Sequence, residues 1–417
     1  MQSKFKKYKD YKEKLSFFYR GYPIEKILSV EIASIAYGMR KFRLRILWGF
    51  FSSRKIVFPE LRENDVLYSM GNYNRTDYYE LLGYVRQHVP GNIVDVNKSK
   101  RTIKLSLSNV FTALTHVFKK GKGIKLQEKI MLAISYTYIM NYIDDIEKNT
   151  NSLPGAYVSF CSSHINEAVI DLYFQQRYIP TFTLQHGLYF IFKNSPIDAI
   201  SYENFISKKL LCWGEYTKME FLRYGISKER LVVAGYPGLV KPLHLKYSEK
   251  GEFRLLILLS RYSFHKNNIK ILEMVSDLKE KISGMKVFVK MHPSLNKSDY
   301  KTLFDNYCFI ECENKTISSL LESSHFDMTI SYNSTAYYDS YLNNCVSLRY
   351  IDRDFDGSIS VMDDSFNDSV TLLEKLEFFR NEMTLKSFWE DVERRLEFIV
   401  GYKINNYKSE INNSMLS

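Results

Sequence analysis

Two short apolar runs, each breaking off into small polar residues, constrain this chain more than any other feature. Val287-Phe288-Val289 gives way to Lys290-Met291-His292-Pro293-Ser294, and Phe326-Asp327-Met328-Thr329-Ile330 gives way to Ser331-Tyr332-Asn333-Ser334-Thr335. Runs this short and apolar read as parallel strands buried on both faces, and the polar residues as the loops they empty into. Parallel strands need long crossovers, so the pattern predicts an α/β chain. In open α/β sheets, ligands gather outside the carboxyl ends of the strands, where backbone N–H groups and helix starts meet anionic groups. A nucleotide diphosphate suits such loops.

Further pieces make the pattern more specific. They are Lys290-x-His292-Pro293, and Ser331-x-x-Ser334-Thr335 running into a helix with Asp339. Upstream stand Thr183-Leu184-Gln185-His186-Gly187-Leu188-Tyr189, Trp213-Gly214-Glu215-Tyr216-Thr217, Tyr224-Gly225-Ile226 and Val232-Val233-Ala234-Gly235-Tyr236-Pro237. Together, over about residues 150–350, they resemble the bacterial capsule and wall polysaccharide transferases, a group that includes polysialyltransferases and CDP-glycerol glycerophosphotransferases. The resemblance implies a GT-B fold, two Rossmann-like doubly wound domains facing across a cleft, with the donor nucleotide in the carboxyl-terminal domain. It also implies nucleotide binding by Lys290, His292, Pro293, Ser331, Ser334 and Thr335, with Asp339 on the ribose. Asn343-Asn344-Cys345-Val346 departs from the Gly and Pro common there in relatives.

The chain reads as alternating elements. Residues 1–60 are predicted mostly helical, interrupted at Pro23 and Gly38. Val66–Met70 and Asn92–Val96 read as strands around a helix over Tyr78–His88, and residues 103–150 have helical period. Ala156–Cys161 and Pro180–Leu184 read as strands around a helix over Asn166–Arg177. At 417 residues two domains are expected. The polar stretch Lys241–Glu252 separates a domain over 1–245, which presents the acceptor and bears a basic helical extension, from a donor domain over 246–417.

Charge is uneven. Residues 1–60 hold fourteen Lys or Arg against five Asp or Glu, a surplus of nine within a net +11, interleaved with Phe5, Tyr8, Tyr11, Phe17, Phe18, Tyr19, Tyr22, Phe42, Trp48, Phe50 and Phe51. Two readings stand: an anionic membrane surface attracts such a segment, or the aromatics pack on the domain beneath a solvated basic face. No nucleic-acid-binding motif accompanies the charge. No apolar run reaches membrane-span length and no signal-peptide core opens the chain. The expected location is therefore the cytoplasm, with peripheral attachment to the inner face of the plasma membrane as its variant. Five cysteines, several on apolar runs, read as reduced, and Cys308-x-x-x-Cys312 lacks the second pair a metal site needs.

The candidate residues have both functional and structural readings. His292, biased toward extended backbone by Pro293, is placed to donate to the leaving phosphate; a locally satisfied strand-end histidine is the plainer reading. Ser331, Ser334 and Thr335 offer donors at a helix start, which capping explains equally. A histidine titrates near neutrality, so His186 is the candidate base, or a phosphate partner, with Gln185 and Gly187 as candidate acceptor- or phosphate-binding residues. His164 and Glu167 open the preceding helix. Arg75 is placed to touch a phosphate, and Asp77 is the second candidate base, although Asp77-x-x-Glu80 also reads as a capping box. Asp352-x-Asp354-x-Asp356 has metal-binding spacing but reads as an exposed loop, so neither metal nor cofactor is assigned.

The resulting expectation is a metal-independent glycosyltransferase that moves a sugar from a nucleotide-sugar donor to a lipid-linked or growing surface polysaccharide. The rivals are a polyol-phosphate (CDP-glycerol-type) transferase, a nucleotide-sugar epimerase, and an inactive membrane-docking scaffold.

Overall fold

The computed structural model describes residues 2–415 apart from 72–74, 150–151, 189–199, 202, 239–240, 246–250, 280, 314 and 354–358. The chain divides into two compact units. The first comprises 1–213, 217–237 and 405–417, and the second 214–216 and 238–404.

In the first unit, helices α1 (Gln2–Lys14), α2 (Ile24–Ile27) and α3 (Ser29–Ala36) precede a six-stranded sheet. Its strands are β1 (Val66–Met70), β2 (Asn92–Asp95), β3 (Ala156–Ser159), β4 (Thr181–Leu184), β5 (Lys209–Cys212) and β6 (Leu231–Val233). They are parallel, in the order β6-β5-β4-β3-β1-β2. The helices between them are α4 (Thr76–His88), α5 (Leu107–Lys120), α6 (Leu126–Asn149) and α7 (Ile165–Gln175).

Because successive strand residues point to opposite faces, each face gathers its own core. Leu67 and Tyr157 join a cluster with residues of α1, α3, α6 and α7. Val66, Tyr68, Met70, Ala156 and Val158 join the other, with Leu82 and Val85 of α4. Burial on both sides explains why β1 and β3 are mostly apolar, with Ser69 and Ser159 the buried exceptions.

The amino-terminal extension departs from the predicted helices. Phe18–Tyr19 and Tyr22–Pro23 form a small antiparallel pair. The helix expected beyond Gly38 is replaced by a 3₁₀ segment over Leu44–Phe51 and a strand over Ser52–Lys55, which pairs with Lys100–Ile103. Tyr8, Tyr11 and Tyr22 are buried in the core, whereas Phe18, Trp48 and Phe51 are exposed. The aromatics thus divide between the two expectations, packing on the domain in α1 and facing solvent around Trp48.

Helix α8 (Glu215–Arg223) belongs to the first unit from Thr217 on, and only Gly214–Tyr216 at its start count with the second. The second unit holds β7 (Phe253–Leu258), β8 (Met285–Lys290), β9 (Ile310–Glu311), β10 (Met328–Ser331), β11 (Val346–Tyr350) and β12 (Ser365–Phe366). All are parallel, in the order β9-β8-β7-β10-β11-β12. Helices α9 (His265–Lys279), α10 (Ser298–Tyr307), α11 (Ile317–Ser323), α12 (Ala336–Leu342), α13 (Ser369–Glu382) and α14 (Lys386–Val400) complete it. Leu256 and Leu258 share a cluster with Leu320 of α11 and Ala336 of α12.

The crossing between the units falls at Pro237–Gly238, and the last helix, α15 (Tyr407–Met415), belongs to the first unit. Tyr407 and Ile411 are buried in the first core, and the Tyr407 hydroxyl donates to the Gly235 carbonyl at 2.7 Å. The polar composition of this segment hid two apolar anchors one helical turn apart.

Candidate functional site

In the second sheet the chain leaves β7, builds β8 and β9 on one side, then crosses to β10 on the other. The switch point therefore lies at the carboxyl ends of β7 and β10, where open α/β sheets bind ligands. Leu258 pairs in register with Lys290 on one side and Ser331 on the other. Neighbouring strands lie about 4.8 Å apart. The His-Pro loop and the Ser/Thr loop consequently emerge from one edge, with Leu259-Ser260-Arg261 between them.

That middle loop is held firmly. Asn268 of α9 accepts the Ser260 N–H at 2.9 Å and donates to the Ser260 carbonyl at 2.9 Å, while the Ser260 hydroxyl donates to the Tyr332 carbonyl. The His292 ring is fixed as well. Its Nδ1 lies 2.8 Å from the Ser294 hydroxyl and accepts the Ser294 N–H at 3.1 Å, and the Ser294 hydroxyl accepts the Tyr262 N–H at 3.2 Å. A neutral imidazole that accepts at Nδ1 carries its proton on Nε2. His292 is thereby set as an Nε2–H donor. Ring and Lys290 are half-buried, while Pro293 is exposed.

The hydroxyl trio separates. Ser331 is fully buried at the end of β10, and its Oγ has no hydrogen-bond partner among the described residues. Ser331 thus lies inside the strand end, whereas Ser334 and Thr335 lie nearer the surface. Ser334 and Thr335 are half-buried, Ser334 Oγ accepting the Ala336 N–H at 3.2 Å. Asn333 turns the loop with φ of 42°. Asp339 lies half-buried in the first turn of α12. The departing Asn343 side chain donates to the Asp339 carbonyl at 2.8 Å, so this segment closes the helix. Asp352 accepts from Asn267 at 2.6 Å and Tyr332 at 3.2 Å, whereas Asp354 and Asp356 lie outside the described residues.

The first sheet has its switch point between β1 and β3. Gly71 follows β1, Phe160 follows β3, and Gln185-His186-Gly187 follows β4. Gln185 is buried and holds its loop: its Nε2 donates to the Gly187 carbonyl at 2.9 Å, and its Oε1 accepts the Trp213 N–H at 2.7 Å. The Trp213 indole N–H donates to the Gln185 carbonyl at 2.8 Å. The amide keeps a second N–H and a second acceptor site beyond these bonds.

His186 stacks its half-buried ring near Phe160 at 5.4 Å and Tyr78 at 5.8 Å. It borders a pocket of about 10 Å³ with Cys161, Ser163, Thr183 and Phe205. Such a space holds about one water. Burial, and then the nearby His164 and Arg75, push its pKa down to about 3. A general base works best with a pKa near the operating pH. Near pH 7 the His186 ring is therefore neutral.

Arg75 and Asp77 are exposed neighbours, with Arg75 Nε donating to Asp77 at 3.0 Å and its guanidinium 4.2 Å from the Tyr78 ring centroid. α4 starts at Thr76 with Arg75 as its N-cap and no side-chain cap bond, so the capping-box reading of Asp77 does not hold. The structure brings Arg75, Tyr78, His164 and His186 to one edge.

Glu167 of α7, expected as a helix-start residue, is the group sequence reasoning undervalued. It is completely buried; Oε1 accepts the Ser69 hydroxyl at 2.7 Å and the Phe160 N–H at 2.9 Å. Burial pushes its pKa up to about 8. A Cβ on Gly71 would sit 3.3 Å from Glu167 Cγ, so a glycine keeps the first loop tight against this carboxyl. The position directly after β1 and the switch-point rule would have been the signal. Arg261, directly after β7, was missed for the same reason.

No family model and no curated protein matches this sequence. Among solved structures, the fold is similar to that of S. aureus MnaA in complex with UDP, with TM-score 0.50 and 12% identity, covering 84% of this chain and 95% of that one. Weaker likenesses include the lipopolysaccharide outer core galactosyltransferase WaaB (TM-score 0.49, 9% identity, 85% and 99% covered). Another is the Neisseria meningitidis UDP-GlcNAc 2-epimerase bound to UDP-GlcNAc (TM-score 0.46, 14% identity, 84% and 99% covered). The fold is thus GT-B, with two Rossmann-like domains.

Proposed function

We propose that this chain is a glycosyltransferase that uses a nucleotide-sugar donor and a lipid-linked or growing surface polysaccharide as acceptor. One observation carries the reading. The His292 and Ser334 loops flank Leu258 at the switch point of the second sheet, with an imidazole whose hydrogen bonds leave it as an Nε2–H donor. A donor diphosphate there would accept from His292 Nε2–H, from Ser334 and Thr335, and from the charges of Lys290 and Arg261. Asp339 would hold the ribose. That MnaA shares the fold and was solved with UDP supports a uridine nucleotide as the first probe.

As the bond from sugar to phosphate breaks, negative charge grows on the leaving diphosphate. Preorganised donors stabilise that charge because they need no reorganisation at the moment of reaction. In the first unit, Arg75 would steady a phosphate of the acceptor. Asp77 would take the acceptor hydroxyl proton, and His186 would orient that hydroxyl as a neutral ring, with Gly187 allowing close backbone approach.

The test is product analysis with purified protein, UDP-, CMP- and CDP-sugars and CDP-glycerol, with and without a polysaccharide acceptor. Acceptor-dependent nucleotide release from a sugar nucleotide supports the proposal. Conversion of the donor without acceptor indicates an epimerase, and consumption of CDP-glycerol alone indicates a polyol-phosphate transferase. Absence of nucleotide binding indicates the scaffold.

A further inference from the structure

We propose that the first unit carries a separate surface that docks on an anionic lipid bilayer, built from the Leu44–Phe51 segment and the outer face of α5. The inference stands apart from the transfer chemistry.

The two pieces are covalently distant but adjacent. Ser52–Lys55 pairs antiparallel with Lys100–Ile103, and the Lys104 N–H donates to the Phe51 carbonyl at 2.9 Å. Both pieces lean on α6. α5 buries Asn109, Ala113 and Val117, leaving Leu107, Phe111 and Phe118 on its other side. Leu44, Trp48, Ile103, Leu105, Leu107 and Phe111 are between 66% and 87% exposed. Single exposed apolar residues are ordinary, but Ile103, Leu105, Leu107 and Phe111 follow one another along the chain from the point where Lys104 bonds Phe51, and a group of that kind marks an interaction surface. Beside Phe111, a hollow of about 360 Å³ is lined by Thr115, His116, Lys119 and Lys120, an apolar wall with ammonium groups at hand.

Charge selects the occupant. Residues 32–59 and 96–127 contain fourteen Lys or Arg and no Asp or Glu, whereas the whole chain nets +11, so the remainder nets −3. Lys41, Arg43, Arg45, Lys100, Lys119 and Lys120 are exposed. Arg54 faces Arg101 and Lys55 faces Lys100 across the antiparallel pair. Like charges set opposite one another oppose strand pairing, and an anionic partner offsets that repulsion. A second copy of this face would add to it. Exposed aliphatic and aromatic side chains among cations suit the headgroup boundary of a bilayer, where rings insert and charges meet anionic lipids.

The test uses the full chain and vesicles of phosphatidylglycerol with phosphatidylcholine, against phosphatidylcholine alone. Wild type is expected to float with the anionic vesicles at low salt and to be released by high salt. Leu107→Ser/Phe111→Ser and Lys119→Ser/Lys120→Ser should each lower partitioning by about tenfold or more, with unchanged thermal midpoint. Trp48 gives a readout that needs no folded variant, since Trp213 and Trp389 are buried and Trp48 is exposed. Brominated acyl chains should quench its emission. Absent flotation, undiminished binding by both variants, or unquenched Trp48 overturns the proposal. So does a dimer, seen by light scattering, that these substitutions dissociate without any vesicle binding.

Discussion

Lys290 and Ser331 stand on opposite sides of Leu258, each paired to it in parallel register, so two loops far apart in the chain leave the sheet as neighbours. One of them carries the imidazole and the other the hydroxyls, and the donor reading rests on that adjacency.

His292→Ala should lower turnover by about 10²–10³-fold, the scale seen when one preorganised donor to a developing charge is removed. The thermal midpoint should stay near wild type because the ring is half-buried and its bonds to Ser294 lie within its own loop. Ser294→Ala, which loosens the ring without deleting it, should cost less. Steady-state kinetics and a melting curve on each variant check both statements.

Glu167 should make the fold less stable as pH rises. Its folded pKa of about 8 lies above the ordinary carboxyl value of 4.5. Below 4.5 both states are protonated and there is no difference. Between 4.5 and 8 the unfolded chain sheds a proton that the folded chain keeps, so stability falls as pH rises through this window. Glu167→Gln can still accept from Ser69 and Phe160, and should flatten that decline. Melting temperatures at pH 5 and pH 8 for both proteins measure the difference.

His186 acts in the opposite direction. Its folded pKa of about 3 lies below the ordinary 6.5. Stability is complete above 6.5 and is lost as pH falls toward 3, because only the unfolded chain takes up the proton. His186→Asn should reduce the acid sensitivity over that range, measured by denaturant midpoints at pH 4 and pH 7.

Gln185→Ala should destabilise the first unit by about 1–3 kcal/mol, since the Trp213 N–H loses its buried acceptor. Urea unfolding followed by tryptophan emission would detect it. Ile411→Ala should cost ~2–5 kcal/mol by opening a cavity in the first core. An unchanged midpoint for Ile411→Ala would place α15 outside that core.

Strands such as Val66–Met70 and Met285–Lys290 were legible because burial on two faces leaves mostly apolar runs, whereas Lys209–Cys212 and Val346–Tyr350 were not read as strands. Lys100–Ile103 was invisible: its four residues, Lys-Arg-Thr-Ile, follow no apolar alternation, and its partner strand is equally basic. The His292 loop was readable from its dipeptide and position after a strand. The burial of Ser331 was not readable, because a hydroxyl at a strand end looks the same in sequence whether it points to solvent or inward. Glu167 and Gln185 needed the tertiary fold, since their partners Ser69 and Trp213 are distant in the chain.

The most direct test of the donor site is a thermal-shift titration of the purified chain with UDP, CDP, GDP and CMP. A ligand bound only by the folded state, present at a hundred times its Kd, adds about 2.7 kcal/mol of stability. One nucleotide is predicted to raise the melting temperature by several degrees, and Lys290→Ala and His292→Ala to reduce that rise. No shift with any nucleotide, or a shift that both variants retain in full, would contradict the account.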